Sequence, residues 1–194
     1  MGALRVVPAD EVPWDDVATV FGSRGGAPGC WCQRYTYTDG WLWHGAPEMH
    51  RESLRNQLEE GRTGLVAYLD DEPVGWCALG PRPSYPKLAK LPVPWKGRDE
   101  DKTDPGVWAV TCFVVRAGFR KKGVSGELAH AAVAYAKGQG AKALEAYPML
   151  TKAGQDITWG ELHVGARSVF AAAGMKQVGH PFTRRVVMRV ELDE

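Results

Sequence analysis

Phe113-Val114-Val115-Arg116-Ala117-Gly118-Phe119-Arg120-Lys121-Lys122-Gly123-Val124-Ser125-Gly126 reads as an apolar strand, a basic glycine-bearing turn and the start of a helix. Such a turn can seat a pyrophosphate. Successive backbone N–H groups, backed by the orphan donors and positive dipole end of the helix, converge on phosphate oxygens without any side chain. Arg120, Lys121 and Lys122 add mobile positive charge at the rim. Gly123 lets the backbone approach the anion, and the small Ser125 and Gly126 keep the helix entrance open. Two other phosphate-binding patterns fail on spacing. The lysines precede Gly123 instead of following it as in a Walker loop, and G-x-G-x-x-G is absent.

Outward from this turn, Val107 to Val115 is nearly all apolar or small, as a strand covered on both faces should be. Ser125 to Lys137 predicts a helix ended by Gly138 and Gly140, and Ala143 to Tyr147 a strand closed by Pro148. Upstream, the pattern predicts a strand over Leu4 to Val7, a helix over Val12 to Phe21, a helix over Pro47 to Glu60 and a hairpin of Thr63 to Leu69 with Pro73 to Leu79. Ser23 to Ala46 carries glycines and aromatics without a period. Gly80 to Gly106, with six prolines, predicts a long structured loop of the kind usually kept for function. Downstream come a short helix over Ala166 to Ala173 and an alternating strand through Val186, Met188, Val190 and Leu192.

Composition sets the bounds. A chain of 194 residues, 44% hydrophobic and 24% charged, suffices for one well-buried core, and a single domain over 1–194 is expected. The formal net charge of +1 supplies no broad basic face, so neither a nucleic acid nor a membrane is an expected partner. No leader opens the chain and no apolar run approaches a membrane span, which points to the cytoplasm, as a monomer or homodimer. Cys30, Cys32, Cys77 and Cys112 are too few and too irregular for a disulfide scaffold or a zinc site, so reduced thiols and no metal are expected.

The run Arg120-Lys-Lys-Gly-Val-Ser125 resembles the acetyl-coenzyme A signature [QR]-x-x-G-x-[GA] of the GNAT N-acetyltransferases, with Ser125 in place of glycine or alanine. The predicted element order is that of the family from Leu4 to Leu192, and the likeness is most specific between Trp108 and Ala146. It implies an α/β, layered fold: a mixed, mostly antiparallel sheet with helices on both faces and two strands splayed at the cofactor site. It also implies an acetyl-CoA-dependent transferase in which Phe113, Val114 and Val115 hold the pantetheine arm. The backbone N–H of Phe113 would polarise the thioester carbonyl, and Arg120, Lys121, Lys122, Gly123, Val124, Ser125 and Gly126 would hold the pyrophosphate. The segment Ala166-Arg-Ser-Val-Phe-Ala-Ala-Ala-Gly-Met175 resembles the family's A-x-x-x-Y-x-x-x-G-F helix end, but Phe170 replaces the tyrosine that often serves as acid.

The family's frequent glutamate near the start of the central strand is also missing, since Trp108-Ala109-Val110 stands there, so the base comes from elsewhere, acts through water, or is unnecessary because the acceptor has a low pKa. A lysine-like amine costs roughly 4–5 kcal/mol to deprotonate at pH 7, whereas a thiol leaving group needs only about 2 kcal/mol of help, so the missing acid is the cheaper loss. Strand alternation puts Glu145 and Tyr147 on one face, making them the candidate base and acid, or else a structural polar pair. His163 and Ser168 are weaker candidates. Trp31, Tyr35 and Trp41, within an aromatic cluster that also holds Tyr37 and Trp43, could bind the acceptor by packing and cation–π contact, or could form a satellite core. A small-molecule amine is the expected acceptor, with direct transfer in a ternary complex. The rival readings are a catalytically weak coenzyme A-binding module and an enzyme acting on a protein or aminoacyl-tRNA.

Overall fold

The computed structural model describes residues 2–22, 26–38, 46–61, 64–152 and 157–192. Seven strands form one sheet: β1 (Leu4–Pro8), β2 (Gly64–Leu69), β3 (Glu72–Pro81), β4 (Val107–Val115), β5 (Ala143–Ala146), β6 (Lys176–Phe182) and β7 (Arg185–Glu191). Their order is β1-β2-β3-β4-β5-β7-β6. Every neighbouring pair is antiparallel except β4 with β5. Such a parallel pair needs a crossover, and α5 (Val124–Gly138) is that crossover.

The sheet is buried on both faces. On one, α5 and α6 (Arg167–Ala172) pack on Leu65, Val74, Leu79, Val110 and Leu144. On the other lie α1 (Trp14–Phe21), the single turn α2 (Ala27–Cys30) and α3 (Pro47–Glu59), over Val66, Trp76, Cys112 and Val114. Two-sided burial explains why β2, β3 and β4 are near-continuous apolar runs in the sequence.

Two irregularities in β4 make room for a site. Ala78 faces Cys112 while Leu79 faces Val110, so Thr111 is an extra residue, and a bulge of this kind sharpens the local twist. The pairing with β5 then stops. Val107 to Val110 run beside Ala143 to Ala146, but β4 continues to Val115 while the chain beyond β5 turns away through Pro148. The two strands part from Thr111 onward. Arg116 N–H bonds the carbonyl of Val74 across β3, so alternation turns the N–H groups of Phe113 and Val115 toward the gap.

Some boundaries differ from the sequence expectation. The segment after β3 is not one loop but a chain of short helical turns that includes α4 (Pro92–Trp95). β6 is an edge strand with five exposed residues and Pro181 in it, and so carries no alternating pattern. β5 ends at Ala146, which leaves Tyr147 just beyond the paired region.

Candidate functional site

The turn after β4 has the geometry its glycines suggest. Gly118, Lys121 and Gly123 all take positive φ, at 87°, 62° and 83°. Gly123 is the residue before α5, and its carbonyl accepts the N–H of Gly126 at 2.8 Å and of Glu127 at 3.1 Å. The N–H groups of Val124 and Ser125 come ahead of the first intrahelical bond and sit at the mouth of a fifteen-residue helix. A Cβ on Gly123 would meet nothing closer than Leu4 Cδ1 at 4.0 Å, so conformation rather than crowding demands glycine there. Arg120, Lys121 and Lys122 are exposed around this mouth. The seat therefore fits an anion on donors, dipole and charge together.

From the seat a cleft of about 650 Å³ runs along the open side of β4, between Phe113, Val115 and Phe119 on one wall and Leu162, Val169 and Ala172 on the other. Most of its surface is apolar, as an extended aliphatic arm requires. Ser168 lies on its rim. The N–H of Phe113 is engaged: it donates to the carbonyl of His163 at 2.6 Å. Gly165, two residues on, takes φ 79°, and a Cβ there would lie 2.8 Å from Phe170 and 3.0 Å from Phe113. Gly165→Ala is accordingly expected to cost at least about 1–2 kcal/mol, a fall of about 2–8 °C in a melting curve. An unchanged melting temperature would show that this segment is not held against β4.

A second cavity, of about 490 Å³, lies on the far side of His163, which lines both. Its walls include Tyr35, Tyr147, Leu88 and Met149 with Arg184 and Arg185. His163 Nδ1 lies 2.9 Å from the carbonyl of Gly160. A carbonyl only accepts, so Nδ1 holds the proton and Nε2 is an acceptor, 3.5 Å from the Tyr35 hydroxyl. Burial first, then the charge of Arg34, pushes the His163 pKa down to about 4, so the imidazole is neutral at pH 7.

Glu145 and Tyr147 meet, at 2.9 Å from the Tyr147 hydroxyl to Oε2, but the carboxylate has another occupation. Arg82 Nη1 reaches Oε2 at 3.3 Å, Arg189 Nη1 reaches Oε1 at 2.9 Å, and Arg98 bonds both oxygens. The side chain is fully enclosed. Burial alone would raise its pKa, but bonds from Arg98, Arg189 and Tyr147 overcome that and hold it below the ordinary carboxylate value. A carboxylate so engaged is a poor base. Tyr147, its own pKa driven up by burial and by the Glu145 charge, is a poor acid. The pair is the centre of an ion cluster that ties the segment after β3 to β5 and β7. Arg82 and Arg98 come from that segment, and no local pattern in the sequence announces them.

Of the aromatic candidates, Tyr35 lines the second cavity, whereas Trp31 is buried between Phe21, at 4.6 Å between ring centroids, and Trp14, at 5.9 Å. Trp31 belongs to the core under α1, because a flat apolar ring gains more from stacking there than from facing solvent. Trp41 and Trp43 lie outside the described residues. Phe170 is fully buried against Phe113, at 5.4 Å between centroids.

Comparison with known proteins agrees with this geometry. The model of the Acetyltransferase (GNAT) family matches residues 31–153. The chain belongs to the GNAT acetyltransferase family. No curated protein matches it in sequence. Among solved structures, it resembles yncA from Salmonella typhimurium, solved with its cofactor acetyl-CoA, at 14% identity and TM-score 0.57 over 99% of this chain and 95% of that one. It also resembles the PaiA N-acetyltransferase of Thermoplasma acidophilum in complex with coenzyme A, at 14% identity and TM-score 0.55, covering 97% and 99% of the two chains. An N-acetyltransferase of Staphylococcus aureus Mu50 matches at 12% identity and TM-score 0.56, over 98% and 99%. At these identities the likeness is one of fold. The mostly antiparallel sheet with helices on both faces, its β4 and β5 strands parted, is the GNAT fold expected from the sequence.

Proposed function

We propose that this GNAT protein transfers the acetyl group of acetyl-coenzyme A directly to the amine of a small-molecule acceptor. The observation that carries this reading is the wall the two cavities share. A cleft with an anion seat at one end and a second, separately lined cavity meet at His163, so a thioester and an amine could approach each other from opposite sides. No cysteine is among the described residues lining either cavity, which favours direct transfer in a ternary complex over a covalent enzyme intermediate.

In this reading the turn residues Arg120 to Gly126 take the pyrophosphate, and Phe113 to Val115 flank the pantetheine arm. The Phe113 N–H takes the thioester oxygen as negative charge develops on it, a contribution of about 3–4 kcal/mol. For this the His163 carbonyl must release that N–H. The Phe113 N–H keeps an acceptor in the exchange, while the His163 carbonyl needs a new donor or water, at a cost of about 1–3 kcal/mol if it stays unpaired. Neutral His163 cannot supply a proton at pH 7, but its Nε2 can accept a hydrogen bond from the incoming nitrogen and so orient it. Neither Glu145 nor Tyr147 is required to move a proton.

The test is thermal. Acetyl-coenzyme A at about 100 times its dissociation constant should stabilise the chain by about 2.7 kcal/mol, a rise of roughly 5–10 °C. Free thiol should then appear when an amine acceptor is added. No shift at any concentration would remove the reading.

A further inference from the structure

Acetyl transfer does not by itself explain the charge of the second cavity. Among the described residues that line it, Arg34, Lys87, Arg184 and Arg185 are basic and Glu161, paired with Arg184 at 3.1 Å, is acidic. Basic side chains thus outnumber acidic ones on the described wall of this cavity, in a chain whose total is +1. A simple amine is a cation at neutral pH, and this cavity would repel it.

The two guanidiniums are also incompletely bonded. Arg185 donates from Nη2 to the carbonyl of Tyr147 at 2.6 Å, but its Nε finds no acceptor, nor do Nε and Nη2 of Arg184, among the described residues. Buried polar atoms in folded proteins nearly always have partners, and a guanidinium fork is the side chain best matched to a carboxylate. The remaining walls are apolar, with Leu88, Leu91, Val93 and Met149.

We infer that the acceptor carries its own anion: it is a small α-amino carboxylate with an apolar side chain, its carboxylate between Arg184 and Arg185 and its nitrogen at His163. The inference rests on the acetyltransferase reading and narrows it. An α-amino acid holds nitrogen and carboxylate on one carbon, and here His163 and Arg185 line the same cavity. The carboxylate cancels the repulsion that would turn away a plain amine, and the apolar walls take the side chain. Burial, the largest cause of the low His163 pKa, acts on a bound ammonium in the same direction and favours the free amine. The transfer is balanced: the amine nitrogen bonds the acetyl carbon, the carbon–sulfur bond breaks, and the ammonium proton leaves with the thiol or to water.

The experiment uses the full chain with acetyl-coenzyme A and follows free-thiol release for leucine, methionine and phenylalanine against leucinamide, phenethylamine and O-phosphoethanolamine. The amino acids should exceed the amide and the plain amine in kcat/KM by about tenfold or more, the scale of one charged hydrogen bond. Arg185→Gln should reduce that preference to within a few-fold, and Arg185→Lys should retain part of it. Equal rates with and without the carboxylate, or a preference untouched by Arg185→Gln, overturn the inference, as does a preference for the phosphate-bearing amine. Were the arginine variants to misfold, the thermal shift of the coenzyme A-saturated wild type reads the same difference. Stabilisation by leucine but not by leucinamide supports the inference, and no stabilisation by any amino acid in the panel overturns it. The parent reading fails separately, if acetyl-coenzyme A alone does not stabilise the chain.

Discussion

Glu145→Gln should destabilise this protein by about 3–5 kcal/mol, the cost of removing one partner from a buried charge cluster, and so lower its melting temperature by about 10 °C. Arg82, Arg98 and Arg189 all converge on the carboxylate, and the glutamine amide would turn a donor toward them. Their positive charge would be left in the interior with one anion fewer. Acetyl-coenzyme A should still stabilise the variant wherever it is folded, because Glu145 is not among the described residues lining the cleft proposed for it. The pH dependence gives a second readout. The folded-state pKa of Glu145 is below its unfolded value, so its contribution is fully present above the unfolded pKa of about 4.3 and is lost as pH falls through the folded value. Wild type and variant should therefore differ most above about pH 5 and converge in stronger acid. A variant with an unchanged melting temperature and turnover reduced by about a hundredfold or more would restore Glu145 as the general base.

The same cluster shows which parts of the molecule the sequence could disclose. The anion seat is contiguous: strand, glycines and helix start lie within fourteen residues, so one stretch of chain fixes both its shape and its charge. The pairing of Glu145 with Tyr147 is also local, and strand alternation places both on one face. The environment that changes their role is not local. Arg82, Arg98 and Arg189 arrive from 63, 47 and 44 residues away, and nothing near Glu145 signals them. The second cavity has the same origin, with Arg34 from the segment after α2, Arg184 from the turn between β6 and β7 and Arg185 from the first position of β7. Each reads alone as a solvated basic residue. Aromatic density was ambiguous for another reason. Composition cannot say which side of a ring meets water, and Trp31 took the core while Tyr35 took the cavity.

Gly123→Glu should abolish acetyl-coenzyme A binding while leaving a folded chain. An L-residue at φ 83° costs roughly 1–2 kcal/mol, which a domain of this size can absorb, and the space around the new Cβ is open. A carboxylate at a helix N-terminus is even favourable to the helix, which offsets part of the strain. The seat itself suffers most. A negative charge about 4 Å from a phosphate opposes binding by about 4 kcal/mol at an effective dielectric of 20, roughly a thousandfold in affinity. Gly123→Ala separates the two effects, since it carries the same backbone strain without the charge. Its loss of affinity should be no more than about thirtyfold, the equivalent of the strain alone. Added salt should weaken wild-type binding, because Arg120, Lys121 and Lys122 are exposed and their attraction is screened. If Gly123→Glu bound acetyl-coenzyme A as the wild type does, the pyrophosphate could not lie at the start of α5. The thioester would then have no reason to reach Phe113, and the assignment of the two cavities to donor and acceptor would fall with it.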